Sequence, residues 1–200
     1  MKARIGKQIP HYETVDRNSV KGVFSGDRVY RYCLSVKYID TLLDSGRGKE
    51  LVVIMKNPSA ADHAMADATI RKVETFVYNR FTDVRWLHIL NIFAYRATDP
   101  QDLNAAYSEK GALYVIGKEN DYVITETIRA ADYILLGWGN NSGIDLRLYE
   151  ERIYRVKQIL QLVPAGKLFV VRGQNQTKQP LHGLMWGYNF SIIPAGKITS

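Results

Sequence analysis

The sequence holds a single cysteine, Cys33, in 200 residues, so no disulfide can form within the chain. That usage suits a reducing compartment, and the cytoplasm is the expected location. There is no Cys-x-x-Cys pair, and the four histidines, His11, His63, His88 and His182, are scattered. A structural zinc site needs ligands at close, paired spacings, so neither a metal nor a cofactor is expected. No apolar run approaches the roughly 18 residues of a membrane span, and no membrane association is expected. The basic start, Met1 to Lys7, is followed by no apolar stretch of the kind a signal peptide carries. P-loop, Gly-x-Gly-x-x-Gly, Gly-x-Ser-x-Gly and His-Glu-x-x-His motifs are all missing. ATPase, dehydrogenase and serine-hydrolase readings therefore lack their usual support.

Acidic residues are scarce at one end. Residues 151–200 carry 7 Lys+Arg against 1 Asp+Glu, residues 1–50 carry 10 against 6, and residues 51–150 carry 10 against 13. An acidic middle between basic ends suits a polyanion-binding face. A solvated basic surface without a partner accounts for the charge equally well.

What is present is an ordinary globular composition, 46% hydrophobic and 24% charged, sufficient for one well-buried core. No linker or repeat interrupts it, and residues 1–200 are expected to form a single domain. Four apolar runs have strand length: Leu51 to Met55, Trp86 to Leu90, Tyr133 to Leu136 and Leu168 to Val171. Their near-continuous apolarity suits burial on both faces. Helical patterns separate them. Asp67 is placed to cap a helix whose apolar face is Ile70, Val73, Val77 and Phe81, and Asp99-Pro100 reads as a cap and first turn. Asp121 to Ala131 carries Ile124, Thr127, Ile128 and Ala131 on one side. Leu146, Tyr149, Ile153, Val156, Leu160 and Val163 mark the clearest amphipathic helix.

This alternation predicts an α/β fold, a three-layer α/β/α sandwich around a central four-stranded parallel sheet with right-handed crossovers. Val23-Phe24 and Val29 to Tyr32, separated by Ser25-Gly26-Asp27, predict a hairpin added at one edge. The tail after Gly183 is expected to cross the surface.

Ligands of an open parallel sheet bind beyond the carboxyl ends of its strands. Four polar loops fall there: Lys56 to Ser59, Asn91 to Arg96, Gly137 to Asn140, and Arg172 to His182. Pro58 forces Asn57 into extended backbone, fixing the direction of an amide able to orient a water or grip a base edge. For the tripeptide alone, a turn capped by Asn57 is the simpler account. His182 could share a proton or stabilise developing negative charge; a surface loop histidine is the plainer reading. His88, inside an apolar strand, reads as a satisfied core residue, and His11 and His63 carry no signal. Asp67 as a cap with Arg71 as its ion partner is a sufficient structural account, and Arg96 beside Asp99 is another. Trp138, between glycines on what reads as a flexible exposed loop, has little core to fill and is placed to stack on a base.

Three ordered segments carry a resemblance: Met55-Lys56-Asn57-Pro58-Ser59-Ala60-Ala61-Asp62, then Asp67-Ala68-Thr69-Ile70-Arg71-Lys72, then Asn91-Ile92-Phe93-Ala94-Tyr95-Arg96-Ala97-Thr98. They resemble a bacterial and phage family catalogued as a domain of unknown function. Its hallmarks are Asn-Pro-Ser-x-Ala-Asp, Asp-Pro-Thr-Ile-Arg-Arg and Asn-Leu-Phe-Ala-x-Arg-Ala-Thr. Gly117, Asn120 and Asp121 match a further element, and the likeness covers roughly residues 28–185. Ala68 replaces the usual proline, Lys72 an arginine, and His182-Gly183 stands where the family has a histidine-proline pair. That family in turn resembles the uracil-DNA glycosylase superfamily. There the first strand ends in a motif bearing a catalytic Asp or Asn, the third core strand ends in Leu-Leu-Gly, and a histidine loop closes the site. This chain offers Asn57-Pro58, Leu135-Leu136-Gly137 and His182 in that order.

The resemblance implies a monofunctional DNA glycosylase that works without a metal and without a lysine nucleophile. Double-stranded phage DNA with modified bases is the implied partner, with no obligate protein partner; the target nucleotide is flipped into the pocket. Asn57 would position the attacking water and His182 would stabilise the departing base. Pro58, Ser59, Asp62, Asp67, Arg71, Asn91, Arg96, Trp138 and Asn140 would bind or line the substrate. Uracil-specific relatives place a tyrosine just after the first motif, where Ser59, Ala60 and Ala61 are all small. A C5-substituted pyrimidine is therefore expected to enter, unless Trp138 or Trp186 fills the same space. Resemblance to anti-phage glycosylases points to glucosylated hydroxymethylcytosine. A hydrolase of free modified nucleotides and a non-catalytic nucleic-acid-binding module are the rival readings.

Overall fold

The computed structural model describes residues 7–39, 46–59, 61–97, 99–173 and 179–196. Ala60 and Thr98 of the quoted motifs, and residues 174–178 of the last loop, lie outside these. In chain order the elements are β1 (Lys21–Phe24), β2 (Arg31–Lys37), β3 (Lys49–Met55), α1 (Ala68–Arg80), β4 (Val84–Asn91), α2 (Pro100–Lys110) and α3 (Ala112–Ile116). Then follow α4 (Asn120–Ala130), β5 (Tyr133–Leu136), α5 (Leu146–Leu160), β6 (Leu168–Arg172) and β7 (Ser191–Pro194).

Among the described residues these strands form one seven-stranded sheet in the order β1-β2-β4-β3-β5-β6-β7. The inner four, β4, β3, β5 and β6, are parallel. β2 lies antiparallel on β4, β1 folds back on β2 with a register shift at Val23/Phe24, and β7 lies antiparallel on β6. The protein is thus α/β, with a mostly parallel sheet.

The four apolar runs became the four parallel strands because both faces of the sheet are covered. Val52, Ile54, Leu90, Ile134, Leu136 and Leu168 join Ile124 and Ile128 of α4 and Ile153, Val156 and Leu160 of α5 in one core. Leu51, Val53, Leu87, Ile89, Leu135 and Val171 join Ile70, Val73, Phe76 and Val77 of α1 in the other. Each such aliphatic side chain removed from water contributes roughly 1.5–3 kcal/mol. Helix starts follow their caps. Asp67 Oδ1 accepts from the Ile70 N–H at 2.8 Å, Asp99 Oδ1 from Gln101 at 2.9 Å, and Asp145 Oδ1 from Leu148 at 2.9 Å. Pro100 takes the first helical position of α2, and Ala68 the first of α1.

Two expectations are corrected, and one element is new. The tail does not only cross the surface, because Ser191–Pro194 returns as edge strand β7. The stripe of α5 is Leu148, Tyr149, Ile153, Val156, Ile159 and Leu160; Leu146 is 57% exposed, and Val163 lies beyond the helix end. Gly111, at φ +81°, ends α2 and opens the short α3, which no periodicity announced.

His11 is buried. Its Nδ1 lies 2.6 Å from Glu74 Oε1 and its Nε2 3.0 Å from the Asp62 carbonyl oxygen, while Glu74 Oε2 accepts from the Tyr12 N–H at 2.8 Å. With an acceptor at each ring nitrogen, the imidazolium is the form that satisfies both. Burial is the largest single influence and lowers the His11 pKa, but Glu74 and Asp62 together outweigh it and the value is raised. The pair ties the segment before β1 onto α1. His88 is satisfied as read, by Ser35 Oγ at 2.8 Å and Glu50 Oε2 at 3.3 Å.

α1 covers one face between β3 and β4, whereas α4 and α5 cover the other on the way to β5 and β6. The chain therefore reverses direction between β3 and β5, and the carboxyl ends of those two strands form the topological switch point where open α/β sheets hold ligands.

Candidate active site

β3 stays hydrogen-bonded past its last residue. The Ile92 N–H donates to the Met55 carbonyl at 2.8 Å and the Phe93 N–H to that of Lys56 at 2.9 Å. Pro58 is buried, and its carbonyl accepts from the Ala97 N–H at 3.2 Å. Asn57 Nδ2 donates to the Ala97 carbonyl. Only the NH2 of an amide can face a carbonyl, so the orientation of this side chain is determined. Its Oδ1, which accepts no hydrogen bond among the described residues, is the free end.

The loop after β6 brings His182 to the same edge. The Gly183 N–H donates to the Gly137 carbonyl at 3.3 Å, and the buried Trp186 donates from Nε1 to the Leu181 carbonyl at 2.8 Å. Trp186 packs 5.0 Å from the Phe76 ring of α1. A Cβ on Gly139, at φ +71°, would lie 2.9 Å from the His182 Cβ; one on Gly137 would lie 2.7 Å from Trp186 Cζ2. The glycines around Trp138 thus permit close packing rather than motion. His182 Nδ1 accepts from the Leu184 N–H at 3.3 Å, so in the neutral ring the proton sits on Nε2. Burial, with Lys56 close by, lowers its pKa to about 4. At neutral pH this leaves an uncharged ring with Nε2–H as a donor.

Lys56, between Met55 and Asn57, is 7% exposed. Burial lowers its pKa to about 8.

The remaining predicted residues divide. Ser59 Oγ donates to Asp67 Oδ2, and Asp67 Oδ1 caps α1, so both carboxylate oxygens are engaged. Asp62 Oδ1 accepts from the Ala64 and Met65 N–H groups at 2.9 and 3.1 Å in a tight turn. Arg71 donates to the Pro10 carbonyl at 3.0 Å, instead of forming the expected ion pair with Asp67. Asn91 is buried, with Oδ1 accepting from Arg31 Nη2 at 3.3 Å. Arg96 donates to the carbonyls of Ser59 and Arg28, both at 3.4 Å, and lies over the Phe24 ring. Asn140 is exposed, its Oδ1 accepting from Ser142 Oγ at 2.6 Å. Trp138 is the clear correction. It is 1% exposed within the α4/α5 core and donates from Nε1 to Gln179 Oε1 at 3.0 Å, so it offers no free face for stacking. The structure thus brings Asn57, Lys56 and His182 to one strand edge, while Asp62, Asp67 and Arg71 shape the loop and helix that follow.

Sequence reasoning missed the buried polar support beneath this edge. Arg31 donates to the Ala61 carbonyl at 2.9 Å, and burial lowers its pKa to about 10. Asn120 Nδ2 donates to the carbonyls of Asn91 and Ile92 at 3.0 and 3.1 Å, and Arg152 Nε also donates to that of Ile92. The available signal was Asn120 itself, matched to the family without a role.

An α/β protein with a candidate site at the switch point of its sheet is the class that fold and site define. A family model described as "Protein of unknown function (DUF1643)" matches residues 31–184, and the chain belongs to that family. The match spans Asn57 to His182 and leaves out β1 and β7. Among solved structures, the chain is similar to a metallo-carboxypeptidase from Pseudomonas aeruginosa in complex with (2-guanidinoethylmercapto)succinic acid. That likeness has 18% identity and a TM-score of 0.34, covering 86% of this chain and 49% of the other, so this chain spans about half of that protein's length. No curated protein matches the chain.

Proposed function

We propose that the protein is a DNA glycosylase that accepts a flipped, C5-substituted pyrimidine and hydrolyses its N-glycosidic bond, leaving an abasic site. The observation that carries this reading is Asn57, pinned through Nδ2 to Ala97 with its acceptor Oδ1 free, at the edge that also holds neutral His182. An acceptor held in one direction is what a water attacking C1′ requires as the sugar becomes oxocarbenium-like. A neutral N–H donor is what the departing base requires as it gathers negative charge. Both interactions strengthen as the bond breaks, so they act on the transition state rather than on binding.

The motif resemblance to the uracil-DNA glycosylase superfamily supports the reaction class, and the net charge of +7 suits phosphate contacts. The small Ser59 after Pro58 favours a bulky substituent, with Arg96 and Asn140 of the strand-end loops as polar partners for an attached sugar; Asn91 and Ala61 are buried and take no part. The proposed target is glucosylated hydroxymethylcytosine in phage DNA, and the proposed setting is anti-phage defence in the cytoplasm.

The test is mass spectrometry of small molecules released from genomic DNAs that carry different modified bases. A free C5-substituted pyrimidine is expected from hypermodified phage DNA, with little uracil from uracil-containing DNA. Robust uracil release with none from hypermodified DNA overturns the target. No release from any DNA, together with hydrolysis of free modified nucleotides, overturns the glycosylase reading.

A further inference from the structure

The turn that joins β1 to β2 lies against the candidate site. The Arg96 N–H donates to the Val29 carbonyl and the Arg31 N–H to that of Ala94, both at 3.0 Å, so the turn is docked on the loop after β4. The Arg96 side chain joins turn and site, donating from Nη1 to the Arg28 carbonyl and from Nε to that of Ser59, two residues after Asn57. Two guanidiniums lie over one ring: Arg28 is 4.4 Å and Arg96 5.4 Å from the Phe24 centroid. Arg28 has φ +58°, a left-handed backbone that suits glycine or asparagine. Its side chain is exposed and makes no hydrogen bond or ion pair to a described residue that would offset the strain. Non-glycine residues held in such backbone concentrate at functional sites. Asp27 and Asp62, the carboxylates beside Arg28, are committed to their own turns. Asp27 Oδ1 accepts from Ser25 Oγ at 2.6 Å and from the Val29 N–H at 3.1 Å, and Asp62 Oδ1 from Ala64 and Met65.

We infer that Arg28 and Arg96, laid over Phe24, form a shelf that binds one backbone phosphate of the DNA strand beside the flipped nucleotide. The identity of the strand rests on the glycosylase reading; the chemistry of the shelf suits any phosphate ester. A guanidinium presents its N–H donors in a plane that matches two phosphate oxygens, and like charges held side by side are relieved by an anion between them. Arg28 is the group that reaches outward. Arg96 borders both shelf and pocket, and its bonds to Arg28 and Ser59 set the span from the phosphate to Asn57. Phosphate contacts fix the register of a strand without reading its sequence. A phosphate seated here therefore decides which sugar comes to rest beside Asn57.

Binding of the full chain to a fluorescent duplex, with a tetrahydrofuran in place of one nucleotide, is followed by anisotropy from about 50 to 200 mM salt. Asparagine tolerates left-handed backbone, so Arg28→Asn is expected to melt no lower than the wild type. It should bind about three- to tenfold more weakly at the low-salt end, with a log–log salt slope smaller by about 1. Arg28→Lys, which keeps the charge, should retain most of the affinity. Uncharged methylphosphonates then replace the phosphates near the tetrahydrofuran one at a time. One position should cost the wild type that same factor and cost Arg28→Asn almost nothing. Unchanged affinity and slope in Arg28→Asn, or no duplex binding by the wild type, overturns the inference. So does a nucleoside 5′-monophosphate that binds in an Arg28-dependent way while no methylphosphonate position is coupled to Arg28, since the shelf then serves a free nucleotide. Failure of the glycosylase reading has a different signature: the coupled phosphate remains while no base is released from any DNA.

Discussion

Asn57 and Ala97 are joined across two loops, the side-chain amide of the first donating to the backbone carbonyl of the second. The loop after β3 thereby sets the rotation of a side chain by borrowing a carbonyl from the loop after β4.

Asn57→Ala should lower single-turnover base release by about 10²–10³-fold, the usual scale for one preorganised polar group, with duplex affinity unchanged. Asn57→Asp tests the role of Ala97. A carboxylate cannot donate to that carbonyl, so the aspartate should turn away and lose a comparable factor. Wild-type rates in either variant would remove Asn57 from the chemistry.

His182 is held neutral, with its pKa lowered to about 4 by burial and Lys56. Base release should therefore show no loss between about pH 5 and 7, the interval in which an ordinary histidine would change charge. His182→Ala should slow release most for bases that are poor leaving groups. A rate that climbs on acidification through about pH 6.5 would mean that the imidazolium is the working form.

The His11–Glu74 pair makes a prediction about stability. Since the folded pKa of His11 is raised, its contribution is complete below the unfolded value of about 6.5 and disappears as pH rises through the folded value. Glu74→Gln keeps an acceptor for the Tyr12 N–H but removes the charge, and should cost about 3 kcal/mol near pH 6. In thermal melts the gap between variant and wild type should narrow at higher pH. A gap independent of pH would show that the histidine is neutral.

Gly183 stands where its surroundings leave no room for a side chain. A Cβ there would stand 2.8 Å from both Met55 Cε and Val73 Cγ2, and proline would also remove the N–H that bonds Gly137. Gly183→Pro is expected to destabilise the fold by about 2 kcal/mol or more and to weaken turnover by displacing His182. Unchanged melting and unchanged base release would show that the loop has room to spare.

The parallel strands were legible because burial on both faces writes them as unbroken apolar runs, and Asp67 and Asp99 marked helix starts by capping. Ser191–Pro194 was not legible, since a four-residue, half-exposed edge strand ending in proline carries no periodic signal. Trp138 was misread because glycine flanks suggest mobility, whereas Gly137 and Gly139 are required by the approach of Trp186 and His182. Asn57 and His182 stood out by chemistry and by the motifs around them. The significance of His11 depended on Glu74, a partner distant in sequence that only the folded chain brings near.

The two flanking strands, β1 and β7, bear on the behaviour of the protein at high concentration. A parallel sheet with bare outer strands would offer rows of unpaired N–H and C=O groups to a second molecule. Here one border is a four-residue strand, begun by Lys21, with a register break at Val23/Phe24; the other is an equally short strand that ends in Pro194, which has no N–H to give. Neither border is long or regular enough to template another chain. The molecule can keep its strongly apolar interior strands while remaining resistant to strand-to-strand aggregation.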